Sequence, residues 1–228
     1  MESNGSRSVP RAQYRYGVER PPTRHTGAVV AESLTERSVG LLSGVRSGAK
    51  TLGGSVGLLW AVHLVNTVLG GALSGLGVHP RSVDGLVGII CAPFLHADFT
   101  HLAVNSVSLV LLGALTMTRR KMDFWVVSVF GALASGLGTW LIGGASTVHI
   151  GASGVIFAYL GFLLARGWFE RRAGAIAMSV FVTWAFGGMI WGLLPTVGAA
   201  VSWEGHLSGF LGGVLVARVL GRSLRKRG

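Results

Sequence analysis

The stretch Gly151–Gly161, GASGVIFAYLG, sets one serine, Ser153, at the mouth of an apolar helix. On its own Gly-x-Ser-Gly is a weak signal, because small residues are common in membrane helices and a serine there often bonds only to its own backbone. Its meaning depends on what else in the chain converges on Ser153. The run that this serine opens continues to about Phe169, and it is one of six of its kind.

Half of the 228 residues are hydrophobic, 13% are charged, 36 are glycine, and the mean hydropathy is +0.57. These values fit a polytopic membrane protein better than a soluble domain. A helix crosses the bilayer core with about 20 apolar residues. The runs are Leu52 to about Val78, Phe94 to about Met117, Phe124 to Ile142, Ser153 to Phe169, Ala173 to Leu194, and Glu204 to Leu220. The expected fold is therefore all-α and polytopic, with six transmembrane helices packed as one membrane domain over residues 51–221. Cys91, the single cysteine, has no partner for an intrachain disulfide and reads as a small buried residue.

The net charge of +11 does not point to nucleic acid, since the basic residues fall outside the apolar runs rather than on one folded face. They report orientation instead. If six helices alternate, all of the 20 Lys and Arg residues except Arg81 lie on one side, which the positive-inside rule makes cytoplasmic. Both termini are then cytoplasmic, and the loops at 79–93, 143–151 and 195–203 are outside. Residues 1–50, basic and carrying Pro10, Pro21 and Pro22, read as a disordered cytoplasmic tail, with a short basic tail at 222–228. A cleaved secretory signal is not expected, because this polar segment precedes the first apolar run. The bilayer is the expected surrounding.

That topology brings polar residues to one depth. Ser153 opens the fourth run at its outer end, His206 lies near the outer end of the sixth, and His96, His101 and Asn105 lie in the outer half of the second. Ionisable groups inside a membrane are costly and mark function by default. Gly205, Gly209 and Gly213 form a small-residue groove on the sixth run, and Gly154, Ala158, Gly161 and Ala165 a matching stripe on the fourth. If these faces pack, Ser153 and His206 come within hydrogen-bond reach. The bland reading, that the glycines only serve packing, leaves a histidine at the edge of the groove unexplained.

A serine hydroxyl needs a base to become a nucleophile, and histidine can take its proton and return it to the leaving group. Asp84, Asp98 and Glu204 are the carboxylates on the outer side and none lies deep in a span, so a Ser153–His206 dyad is preferred over a triad, with Glu204 a weaker third member. Attack on a carbonyl also needs donors for the developing oxyanion. The backbone N–H at Ser153 and the i, i+4 pair His101 and Asn105 are candidates. For Asn105 an interhelical hydrogen bond is an equal alternative. Gly151 frees the turn so that this backbone can face a substrate, and Gly154 lets the sixth helix approach.

At this point the chain resembles a known family, the rhomboid intramembrane serine proteases. FLHADFTHLAVN at 94–105 is similar to the family's His-x4-His-x3-Asn block, GASG at 151–154 to its nucleophile motif, and GHLSGFLGG at 205–213 to its His-x2-Gly-x3-Gly block. The resemblance implies that Ser153 is the nucleophile, His206 the base, and His101, Asn105 and the Ser153 N–H the oxyanion donors. It further implies that Phe157 packs against His206 and that His96 is structural. The implied reaction is hydrolysis of peptide bonds in transmembrane segments of membrane-protein substrates near the outer face, with water and substrate entering past the fifth helix and the loop from Pro195 to Trp203. No cofactor and no metal is implied. Two departures stand out: the loop HPRSVDGL lacks the Trp-Arg pair of many members, and TRRKMD lacks a Glu-Arg pattern. No seventh helix is visible, as in the common six-helix bacterial form.

Two other readings compete with it. A catalytically silent relative usually lacks Ser or His, and this chain keeps both. Haem or metal ligation by His63, His96, His101 and His206 would need His63 nearer the others in depth. His79 and His149 read as solvated loop histidines.

Overall fold

No proline lies between Pro22 and Pro80, and the helix between them is long. The computed structural model describes residues 26–198 and 201–225, and its first helix, α1, runs Thr26–Val68. The basic segment expected to be disordered is thus helical from Thr26 onward. Its Ala, Leu and Glu residues favour helix, and no proline interrupts them. Residues 1–25 of that expected tail and 226–228 of the other lie outside the described residues. The chain divides into two units at Gly44 and Val45. In the first, Val39 and Leu42 are exposed and Ser43 Oγ donates to the Gly40 carbonyl.

α1 stops ten residues before the expected end of its apolar run, and glycine is the reason. Gly70 and Gly71 have φ of +62° and +85°, and the Gly71 N–H bonds the Asn66 carbonyl at 2.8 Å. The buried Asn66 side chain then organises the turn, accepting from Leu73 N and donating to Ser74 Oγ. Short helical turns follow, among them α2, Gly88–Cys91, whose Cys91 is half-buried rather than part of the core. The next long helix, α3, is Phe99–Met117. It starts later than the run at Phe94 because Pro93 and the Asp98 cap set its beginning: the Asp98 carboxylate accepts from the His101 N–H at 2.8 Å. Asp98 is thereby a capping residue.

The remaining helices are α4, Lys121–Ile142; α5, Ser153–Glu170; α6, Ala173–Phe186, continued by a 3-10 stretch Gly187–Leu193; and α7, Trp203–Arg225. Among the described residues, four segments are long and apolar enough to cross a membrane: Leu42–Val68, Phe99–Met117, Lys121–Ile142 and Ala173–Leu193. α5 differs from these in being enclosed. Every residue from Gly154 to Leu163 is buried, against α3, α4, α6 and α7.

The contact between α5 and α7 is backbone on backbone. A Cβ at Gly209 or Gly213 would overlap the carbonyl of Gly154 or Ala158, and one at Gly161 the carbonyl of Phe210. At the far end of the bundle from Ser153, buried charges close the packing. Arg119 grips Asp123 through two nitrogens at 2.7 and 2.8 Å and reaches Glu170 at 3.2 Å, while Arg166 binds Glu170 at 2.9 Å. Burial alone would lower the Arg119 pKa, but the hydrogen bond to Asp123 and the charges of Asp123 and Glu170 outweigh it and raise it. Charge pattern marks Arg119 and Arg166 as orienting residues; they also pin the α3–α4 turn to the end of α5.

Gly213→Leu should lower stability by about 1–3 kcal/mol or more, through overpacking of this contact. Gly174→Ala, where an added Cβ meets nothing within 4 Å, should leave it unchanged. Thermal unfolding in detergent measures both, and an unshifted midpoint for Gly213→Leu would contradict the close approach of α5 and α7.

Candidate active site

The turn before α5 is held from three sides. Gly151, at φ +129°, donates its N–H to the Ala92 carbonyl at 2.9 Å. His149 and Val78 exchange backbone hydrogen bonds of 2.9 and 3.0 Å. Arg81 donates from Nη1 to the carbonyls of Leu141 and Gly143 at 3.2 and 2.8 Å, and Trp140 Nε1 donates to Ser82 O at 2.7 Å. The short loop without a Trp-Arg pair is therefore an anchor, with Arg81 satisfying carbonyls at the C-terminal end of α4. His149, in the loop before α5, is half-buried rather than fully solvated. Its Nε2 lies 2.7 Å from Thr147 Oγ1, and burial lowers its pKa against the opposing charge of Glu204. His79 bonds the Gly75 carbonyl at 2.9 Å.

This turn delivers Ser153 to the first position of α5. Its Oγ lies 2.8 Å from His206 Nε2, and His206 Nδ1 lies 2.9 Å from the Gly192 carbonyl. A carbonyl only accepts, so the ring proton sits on Nδ1 and Nε2 is left to accept from the serine hydroxyl. The Phe157 ring stacks on the imidazole, centroids 4.1 Å apart at 18°. The orienting position that a carboxylate occupies in a triad is taken here by a backbone carbonyl, and Glu204 makes no hydrogen bond to the ring.

His101 and Asn105 face the backbone just before Ser153. A Cβ on Gly151 would stand 2.8 Å from His101 Cε1 and 3.6 Å from Asn105 Nδ2. Asn105 is buried with its Nδ2 unpartnered, a donor aimed beside Gly151 with nothing to bond. His96, 1% exposed, lies edge-on to His101 at 5.2 Å and accepts a long 3.5 Å hydrogen bond from Ala152 N. Gly154, Gly209 and Gly213 lie in the α5–α7 contact described above. Among the described residues no group of three or more His, Cys, Asp or Glu is placed to hold a metal.

Beside the pair is a cavity of about 30 Å³, lined by Ser135, Thr139, His149, Ser202, Ser153 and His206 together with apolar residues. It has room and polar partners for water, which needs roughly 10–15 Å³ of such space. Ser202 Oγ is buried there without a partner. Sequence reading missed these hydroxyls and the Gly192 carbonyl. Ser135 and Thr139, at i and i+4 on α4, gave a visible polar stripe; Gly192 gave no signal at all.

A family model described as the Rhomboid domain matches residues 84–223. An uncharacterized protein of Mycobacterium tuberculosis (strain H37Rv) is 42% identical over 187 residues, covering 78% of this chain and 78% of its own. The Bacillus subtilis protein named "Putative rhomboid protease YdcA" is 29% identical over 130 residues, 57% of this chain and 64% of that one. RHOMBOID-like protein 5 of Arabidopsis thaliana is 32% identical over 143 residues, 57% and 44% respectively. The chain belongs to the rhomboid family. It is an integral, multi-pass membrane protein, and membership implies intramembrane protease activity.

A methyl group on Gly192 would press to 2.8 Å from the Phe157 ring and 3.5 Å from His206 Nδ1. Gly192→Ala should therefore cut cleavage of a model transmembrane substrate about 10- to 100-fold through misplacement of the imidazole. Wild-type turnover in this variant would show that the carbonyl does not hold the ring.

Proposed function

We propose that the chain is a serine endopeptidase that hydrolyses peptide bonds in or near the transmembrane segments of membrane-protein substrates, with Ser153 and His206 as a catalytic dyad. The observation that carries this reading is the 2.8 Å hydrogen bond from Ser153 Oγ to His206 Nε2, with the tautomer set by Gly192. As Ser153 Oγ attacks the scissile carbonyl, His206 Nε2 takes its proton. The negative charge that develops on the carbonyl oxygen is met by the Ser153 N–H, Asn105 Nδ2 and the His101 ring as preorganised donors. His206 then protonates the leaving amine, and the acyl-enzyme forms. A water from the cavity among Ser135, Thr139 and Ser202 gives a proton to His206 and attacks the ester; His206 returns that proton to Ser153 Oγ as the acyl C–O bond breaks, which frees the serine and the carboxylic acid product.

The same reading makes α1 and α3 to α7 six spanning helices, with 51–221 as the membrane domain, both termini in the cytoplasm, and Ser153 near the outer face of a bacterial plasma membrane. Substrate enters past α6 and the 3-10 stretch at Gly187–Leu193, the segment that carries the Gly192 carbonyl.

An active-site serine probe should label wild type and leave Ser153→Ala unlabelled. Ser153→Ala and His206→Ala should each abolish cleavage with an unchanged unfolding midpoint, and Asn105→Ala should lower kcat about 10²-fold. Full activity in either dyad variant refutes the mechanism, and an unlabelled, inactive wild type points to a silent relative.

A further inference from the structure

Between α1 and α4 lies a second cavity, far larger than the first. It is a groove of about 590 Å³, open along one side and floored by α5 and the turn before it. Its walls are two helical stripes. Lys50, Gly54 and Leu58 recur at i, i+4 on α1, and Trp125, Val129 and Leu133 on α4, where Lys121 stands one turn before Trp125. Each wall therefore begins with a lysine at the same end of the bundle. Lys121 Nζ donates to Ser47 Oγ at 2.9 Å, which draws the two basic ends together, while both lysines remain exposed.

The chemistry of the lining excludes a polar occupant. Its hydroxyls are already used internally: Thr51 Oγ1 donates to Ser47 O, Ser55 Oγ to Thr51 O, and Ser128 Oγ to Phe124 O while it also pairs with Tyr159 OH at 2.6 Å. What remains is apolar. From Lys121 to Leu133 the wall is about 18 Å long at the helical rise of 1.5 Å, slightly more than half of a hydrocarbon core about 30 Å thick. The dimension is that of one leaflet, and the cationic rim is at the end where a headgroup would sit.

We propose that this groove is a binding site for an anionic phospholipid, with one acyl chain between α1 and α4 and the phosphate group at Lys50 and Lys121. The site has a route to the catalytic turn. Ala152 and Val155, which flank Ser153 in the chain, form part of its floor, so a chain seated there supports the start of α5 from behind. An empty groove would leave that packing open on one side.

The test is native mass spectrometry of the delipidated protein in detergent, titrated with phosphatidylglycerol and, separately, phosphatidylcholine of the same acyl chains. Wild type should take up one phosphatidylglycerol at an at least tenfold lower concentration than phosphatidylcholine, and the lipid should raise its unfolding midpoint. Val129→Trp, which fills the groove from an exposed position, should lose the adduct. Lys50→Glu, at a solvated site that does not threaten folding, should bind the two lipids alike. Equal binding of both lipids to wild type, an undiminished adduct in Val129→Trp, or a retained preference in Lys50→Glu would overturn the proposal. So would a protein dimer that forms in place of the lipid adduct, since a second copy would then cover the groove.

Discussion

The backbone contact between α5 and α7 is the constraint on which the site depends. At Gly209 and Gly213 no side chain separates the helices, and the α7 glycines rest on the Gly154 and Ala158 carbonyls. Only at this separation can a histidine near the start of α7 reach a serine at the start of α5. Any larger residue on the seam would push the pair apart by more than a hydrogen bond tolerates. The same closeness buries the first half of α5 on all sides, so Ser153 opens the most enclosed helix of the described bundle.

Around that contact the structure uses backbone groups where a soluble enzyme would spend charged ones. The imidazole is oriented by the Gly192 carbonyl and backed by the Phe157 ring, both neutral. A carboxylate at this depth would carry a desolvation cost of several kcal/mol, which a carbonyl with its lone pairs avoids. Charged groups are instead paired at the opposite end, where Arg119, Asp123, Arg166 and Glu170 satisfy one another. Arg81, the polar anchor of the loops, binds neutral groups, the Leu141 and Gly143 carbonyls at the C-terminal end of α4.

Much of this was legible beforehand, and the failures have physical causes. The third and fourth apolar runs agree with α4 and α5 to within a few residues, since hydropathy changes sharply at Arg119–Lys121 and at Gly151. The first run misled, because Gly70 and Gly71 are apolar by count but end the helix by conformation. The basic segment misled in the other direction: net charge argues for disorder, yet local helix propensity from Thr26 is adequate to continue α1. The backbone pairing of His149 with Val78 was not legible, because the two are remote in sequence.

The sequence by itself determined the membrane class and the apolar runs, and it set the expectation that Ser153, His206, His101 and Asn105 share one depth. Hydropathy and charge are read along the chain, and in a bilayer position along a helix is depth. Which groups touch at that depth is a lateral question, and only the tertiary structure decided it. The Gly192 carbonyl on Nδ1, the Ser135 and Thr139 hydroxyls beside the pair, and the groove between α1 and α4 all arise from which helix faces meet. Those meetings are set by non-local close packing of small residues, for which a linear pattern of hydropathy carries no term.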